Sequence, residues 1–213
     1  MTTPAPLTAA SSAPTRRGTG VVNSTTFAQP SRSMQLANLV LAQLGWFAAV
    51  LGAAHGIPLW GMACVLAVIG WHISVAPRRA REATLIALVC LIGAAVESVH
   101  VALGNVSYPS GQPFAQFPPY WMIGLWGLFA IQLNVTLRWL RGRLWLAAVL
   151  GAIAGPVSFA SGVRLGGAQF LHATPALAAL VVSWAVLMPL LVWLSTRFDG
   201  VAVDGVAMES VHA

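Results

Sequence analysis

Leu85-Ile-Ala-Leu-Val-Cys-Leu-Ile-Gly-Ala-Ala-Val-Glu97-Ser-Val-His100-Val-Ala-Leu-Gly104 decides how this chain is read. The run is long enough, and apolar enough, to cross about 30 Å of hydrocarbon as one helix. Glu97 stands inside it, with His100 three residues on. A carboxylate at membrane depth is costly, so it marks a functional site by default. The rest of the chain supports the same setting. It is 58% hydrophobic and only 8% charged over 213 residues, against about 25% charged in soluble domains. A soluble fold of this size could not hide that much apolar surface, so the solvent is the bilayer.

Five further apolar runs flank the first. The expected spans are 36–54, 57–76, 83–104, 120–140, 143–163 and 175–196, which gives an all-α, polytopic protein of six transmembrane helices. The breaks have physical causes. His55-Gly56-Ile57-Pro58 is a tight turn, Pro77 to Arg81 and Arg141-Gly142-Arg143 are charged, and Asn105 to Pro119 is rich in proline. Residues 1–35, rich in Ser, Thr, Pro and Ala with no acid, read as a disordered cytoplasmic tail. Residues 36–196 form the membrane domain and 197–213 a short cytoplasmic tail. Cys64 and Cys90 fall inside apolar helices and read as small core residues rather than a disulfide.

All eleven basic residues are arginine, and ten of them fall on one side if both termini are cytoplasmic; Arg164 alone falls on the other. That asymmetry sets the expected orientation, with N and C termini inside. It also removes nucleic acid as a partner despite a sequence pI of about 11.1, because the arginines punctuate helix ends rather than form one patch. Trp60, Tyr120 and Trp121 near the outer ends, and Trp71, Trp139, Trp145 and Trp193 near the inner ends, read as interfacial belts.

Two stripes could carry chemistry. Gly93, Glu97, His100 and Gly104 share one face of the third helix. Gly151, Gly155, Ser158, Gly162 and Gly166 run along the fifth, which is expected to be central and bent at Pro156. Glu97 and Arg164 are the acid and the base of the outer half, and a pair between them is the simplest expectation. The pair either fixes two helices or forms a site. Asn38, Gln43, Gln132 and Asn134 read mainly as interhelical hydrogen-bonding amides, and Arg138 as a topology charge. His55, His100 and His172 fall toward the outer side with Glu97, a donor set that suits zinc or iron. The paired Glu-x-x-His spacing of di-iron bundles is absent, so the expectation is no metal and no cofactor. There is no phosphate-binding Gly-rich loop with lysine, no Gly-x-Ser-x-Gly and no Cys-x-x-Cys.

Several stretches carry a family resemblance: Leu36 to Phe47, Ile92-Gly-Ala-Ala-Val-Glu-Ser98, Pro119 to Ala130 running on to Asn134 and Leu137-Arg-Trp-Leu140, and Gly151-Ala-Ile-Ala-Gly-Pro-Val-Ser-Phe159 with Gly162 and Arg164-Leu-Gly166. Together, over about residues 36–190, they resemble a bacterial family catalogued as domain of unknown function 2878. The resemblance implies a small polytopic inner-membrane protein with no established activity. It also implies a genomic neighbourhood of cyclopropane-fatty-acid-synthase-like enzymes and flavin oxidoreductases, hence lipid modification or envelope stress as the context. The leading expectation is a lipid-associated protein with an outer-half cavity lined by Glu97, His100, Arg164, Trp121 and Trp126, with Asn134 as a further ligand-binding candidate. Glu97 and His100 are the candidate proton-handling groups, and membrane lipids the expected partners. The alternatives are a small proton-coupled transporter, expected as a homo-oligomer, and a structural or assembly subunit that packs on a partner membrane protein.

Overall fold

The computed structural model describes residues 30–202. Residues 1–29 and 203–213 lie outside the described residues, and with them most of both expected tails. Six helices follow in chain order: α1 (Arg32–Ala54), α2 (Pro58–Val75), α3 (Arg79–Ala102), α4 (Tyr120–Leu133), α5 (Leu144–Arg164) and α6 (Ala173–Arg197). Five of them, all but α4, are long and apolar enough to cross a membrane. Their starts follow from local chemistry. Ser31 caps α1 by accepting the Met34 amide at 3.2 Å, and Pro58 opens α2 at a position whose N–H has no helical partner. Leu59, Leu66, Leu91, Val99, Val182 and Val186 stand exposed on the outer surface, as lipid-facing side chains do.

α4 corrects two expectations. The span expected over 120–140 stops as a helix at Leu133, followed by a turn and a single 3-10 turn at Arg138–Leu140. At ~1.5 Å per residue, its 14 residues fall short of the bilayer. The remaining backbone is irregular but buried, through Asn134, Val135 and Leu140; non-helical backbone at membrane depth is tolerated where protein surrounds it. α4 is also the central helix. It packs on α1, α2 and α3, whereas α5 packs chiefly on α6. The glycine stripe of α5 serves that hairpin: a Cβ on Gly155 would fall 2.3 Å from the Trp184 ring, and one on Gly151 2.5 Å from the Met188 Cβ.

The molecule therefore has two packing units, α1–α4 and the α5/α6 hairpin. They are joined at several places. The loops after α3 and α5 pair as two short antiparallel strands, β1 (Val106–Ser107) and β2 (Gln169–Phe170), in the register Val106 to Phe170. Trp126 of α4 stacks on Trp184 of α6, with ring centroids 5.2 Å apart. At the opposite end, where α1 starts and α6 stops (the terminus end), Phe198–Ala202 folds back against α3 and the turn after α4. Asp199, Val201 and Ala202, at the start of the expected short tail, are buried there. Cys64 and Cys90 are free, and Cys64 is exposed rather than in the core.

Candidate functional site

Two clusters of buried polar side chains lie near opposite ends of the bundle. At the strand end, Glu97 of α3 is buried. Its Oε2 accepts the Tyr108 hydroxyl at 2.8 Å, and its Oε1 accepts the Trp126 indole N–H at 3.3 Å. The sequence builds this locally. Gly93 lies one turn before Glu97, and a Cβ there would fall 2.2 Å from the Trp126 ring, so only glycine lets that indole lie against α3 and reach the carboxylate. Tyr108 comes from the loop after β1. It packs edge-on against Trp121, whose N–H donates to the Ser110 carbonyl at 3.1 Å. The loop is tied down further by Ser110, whose hydroxyl donates to the Ala53 carbonyl at 2.9 Å.

Beside Glu97, a cleft of about 330 Å³ opens along the seam between the two packing units, at the small end of the range for ligand sites. Leu39, Ala42 and Trp46 of α1, Met122 and Phe129 of α4, and Phe159 of α5 are among its lining, and the Trp126–Trp184 stack forms one wall. Gln43, Gln132, Thr136 and Ser158 supply neutral polar groups, and Glu97 is the ionisable side chain that lines it. Leu39, Gln43, Ala154 and Ser158 are exposed at its rim, so the cleft opens sideways between α1 and α5.

The expected site residues therefore separate. Glu97 and Trp126 line the cleft; His100, Trp121, Arg164 and Asn134 do not. The expected Glu97–Arg164 pair does not form: Arg164 ends α5 in an exposed position, and the donors to Glu97 are neutral. Helix register explains the miss. The two residues share an end of the bundle, but α5 turns its buried face to α6 rather than to α3. His100 lies on the same face of α3 as Glu97 yet belongs to another set of bonds: its Nδ1 accepts the Asn105 amide at 3.3 Å and its Nε2 faces the Ser183 hydroxyl at 3.4 Å. Trp121 is buried beneath the loop and is not a belt residue. His55 and His172 are exposed, and His55 bonds the Leu51 carbonyl of its own helix at 2.8 Å. The four candidate metal ligands are not brought together, and among the described residues no group of three His, Cys, Asp or Glu could hold an ion.

The second cluster escaped the sequence reading. At the terminus end, Asn38 of α1 donates to His72 Nδ1 at 3.0 Å, and His72 Nε2 meets Glu82 Oε1 at 2.7 Å. Glu82 Oε2 accepts the Asn134 amide at 2.7 Å and the Gly200 backbone N–H at 3.1 Å. Arg141 donates to Asn134 Oδ1 at 2.5 Å and to Asp199 Oδ2 at 2.6 Å, and Arg138 stands 2.8 Å from the same Asp199 oxygen. Asp199 Oδ1 in turn accepts the Val201 and Ala202 amides. Burial alone would raise the Asp199 carboxyl, but the hydrogen bonds from Arg141 and Arg138 outweigh it and hold the group below the usual carboxylate range. Arg138 and Asn134 are thus network members, not a free topology charge and a cleft ligand. Asn38, His72, Glu82 and Asn134 are all fully buried. A signal for them existed: the buried face of α2 runs Gly61, Val65, Val68, His72, and that of α3 runs Glu82, Ile86, Val89, Gly93, Glu97, His100.

The family model described as "Protein of unknown function (DUF2878)" matches residues 35–190, more than half of the chain. No curated protein and no solved structure matches it. The chain belongs to this family, and its apolar helices are those of a multi-pass membrane protein.

Proposed function

We propose that this member of the DUF2878 family is a bacterial inner-membrane protein that binds the acyl chain of a lipid in the cleft beside Glu97. In this reading the chain crosses the membrane six times with both termini cytoplasmic, and α4 completes its crossing through the buried turns after Leu133. The observation that carries the reading is the cleft itself: an apolar, aromatic-walled groove of about 330 Å³, open sideways between α1 and α5, with one carboxylate on its wall. A lipid tail could enter from the bilayer without crossing the polar loops. The head group is neutral and donates hydrogen bonds, because Glu97 retains lone pairs beyond the two that Tyr108 and Trp126 use. An anionic head finds no cation among the lining residues.

A palmitate analogue with a diazirine on its chain tests this in native membranes. The expected crosslinks fall on cleft residues such as Ala154, Phe159 and Met188 and are lost when Ala154→Trp fills the groove. Labelling confined to the outward faces of Val182 and Val186, unchanged by Ala154→Trp, would overturn the reading. One observation favours a second reading, proton-coupled transport. The α5/α6 hairpin meets α1–α4 at few places, so it is the element that would move, with Glu97 as the proton carrier at the seam.

A further inference from the structure

The polar network at the terminus end takes no part in the cleft reading and stands whether or not the cleft holds lipid. His72 of α2 lies at its inner edge. The groups that face it are Asn38 from α1 and Glu82 from α3; beyond Glu82 stand Asn134, Arg138 and Arg141 from the turns after α4, and Asp199 from the segment after α6. With His72 neutral, the network sets two carboxylates beside two guanidinium groups, and the Arg78 backbone N–H donates to the Gly200 carbonyl at 2.9 Å. The ring then donates its Nε2–H to Glu82 and accepts the Asn38 amide at Nδ1. The other amide atom of Asn38, Oδ1, is buried without a partner, and a buried polar atom left alone calls for an explanation. Half a turn of that amide would present Oδ1 to Nδ1, which suits a ring that carries hydrogen on both nitrogens. The site therefore offers one hydrogen bond between Asn38 and His72 in either protonation state, with Asn38 as donor to the neutral ring and acceptor from the imidazolium.

We propose that His72 and Glu82 form a buried proton-binding site, in which one proton from water adds at His72 Nδ1 and loosens the docked segment Phe198–Ala202. The coupling runs through Glu82. Its Oε2 holds the Gly200 N–H, and no side chain fits at Gly200, where a Cβ would lie 2.6 Å from that same oxygen. An imidazolium pulls the carboxylate toward Nε2 and adds a positive charge beside Arg138 and Arg141. Both effects weaken the hold on Gly200. Arg141 and Asp199, with side chains 18% and 11% exposed, are where the network comes nearest to solvent.

The test uses the full chain in lipid nanodiscs, labelled with 15N-histidine and followed by NMR from pH 8 to pH 5, with His72→Gln used to assign the His72 signals. One proton is expected at His72 Nδ1 across that range. The Gly200 amide, corrected for intrinsic exchange, is expected to exchange about tenfold faster at pH 5 than at pH 8, the factor for one pK unit of coupling, and in His72→Gln that extra pH dependence disappears. A His72 Nδ1 that stays unprotonated down to pH 5 overturns the site by itself, so the outcome does not hang on the variant folding. A Gly200 amide with the same pH dependence in His72→Gln overturns the coupling.

Discussion

Glu82 and Glu97 are buried carboxylates on one helix, fifteen positions apart, and their surroundings differ in kind. Glu82 is saturated: His72, the Asn134 amide and a backbone N–H all bond to it. Glu97 accepts two neutral donors and faces a cleft. A buried ion whose partners all come from the protein is a strut, since removal of one member leaves the others uncompensated. A buried carboxylate with spare acceptor capacity on a cavity wall has something left to offer a ligand. The comparison sets a network that ties the segment after α6 to the bundle against the carboxylate on which the proposed lipid binding rests.

The sharpest way to break it is a pair of matched substitutions. Glu82→Gln removes the carboxylate from a buried polar network and turns an amide N–H2 toward groups that themselves donate; a cost of about 3–5 kcal/mol is expected, seen as loss of monodisperse protein. Glu97→Gln keeps an acceptor for Trp126, and the Tyr108 hydroxyl can rotate to accept, so the cost is about 1 kcal/mol. Equal destabilisation in thermal melts would erase the distinction.

Acid should undo the terminus end more gradually. The Asp199 carboxyl is depressed in the folded protein, so its contribution is fully present above the unfolded value and is lost as pH falls through the lower folded value. Melting temperature should therefore fall below about pH 4, and Asp199→Asn, already lower at pH 7, should show less of that fall. A smaller contrast compares two glycines. Gly200→Ala places a Cβ against Glu82 and the Arg78 carbonyl and is expected to cost about 1–3 kcal/mol. Gly162→Ala, in α5 with nothing within 4 Å of the new atom, is expected to be neutral or to stabilise by up to ~1 kcal/mol. The smallest expected effect is Arg164→Ala, within about 0.5 kcal/mol, because that side chain is exposed and outside the cleft.

The fold was legible where apolar length decides it. The five long helices lie within a few residues of their expected spans, because a run of about 20 apolar residues has few alternatives in a bilayer. α4 was misjudged at its end: Asn134 and Arg138 fit a helical face in sequence, but the helix stops at Leu133 and the two residues bond Glu82 and Asp199 from the turns that follow. Glu97 was legible as a lone acid in an apolar run. Its partner Tyr108 was not, since it arrives from a proline-rich loop whose course depends on β1 meeting β2 and on Trp121. Glu82 hid among Arg78, Arg79 and Arg81, where an acid looks solvated, and Asp199 hid in an apparent tail. Helical spacing back from Glu97 was the signal available for Glu82.

The measurement that tests the central claim most directly is native mass spectrometry on the protein extracted gently from its own membrane. The account predicts one retained lipid in the wild type and in Arg164→Ala, and none in Ala154→Trp. A wild-type protein without lipid, or a lipid retained equally by Ala154→Trp, would contradict it.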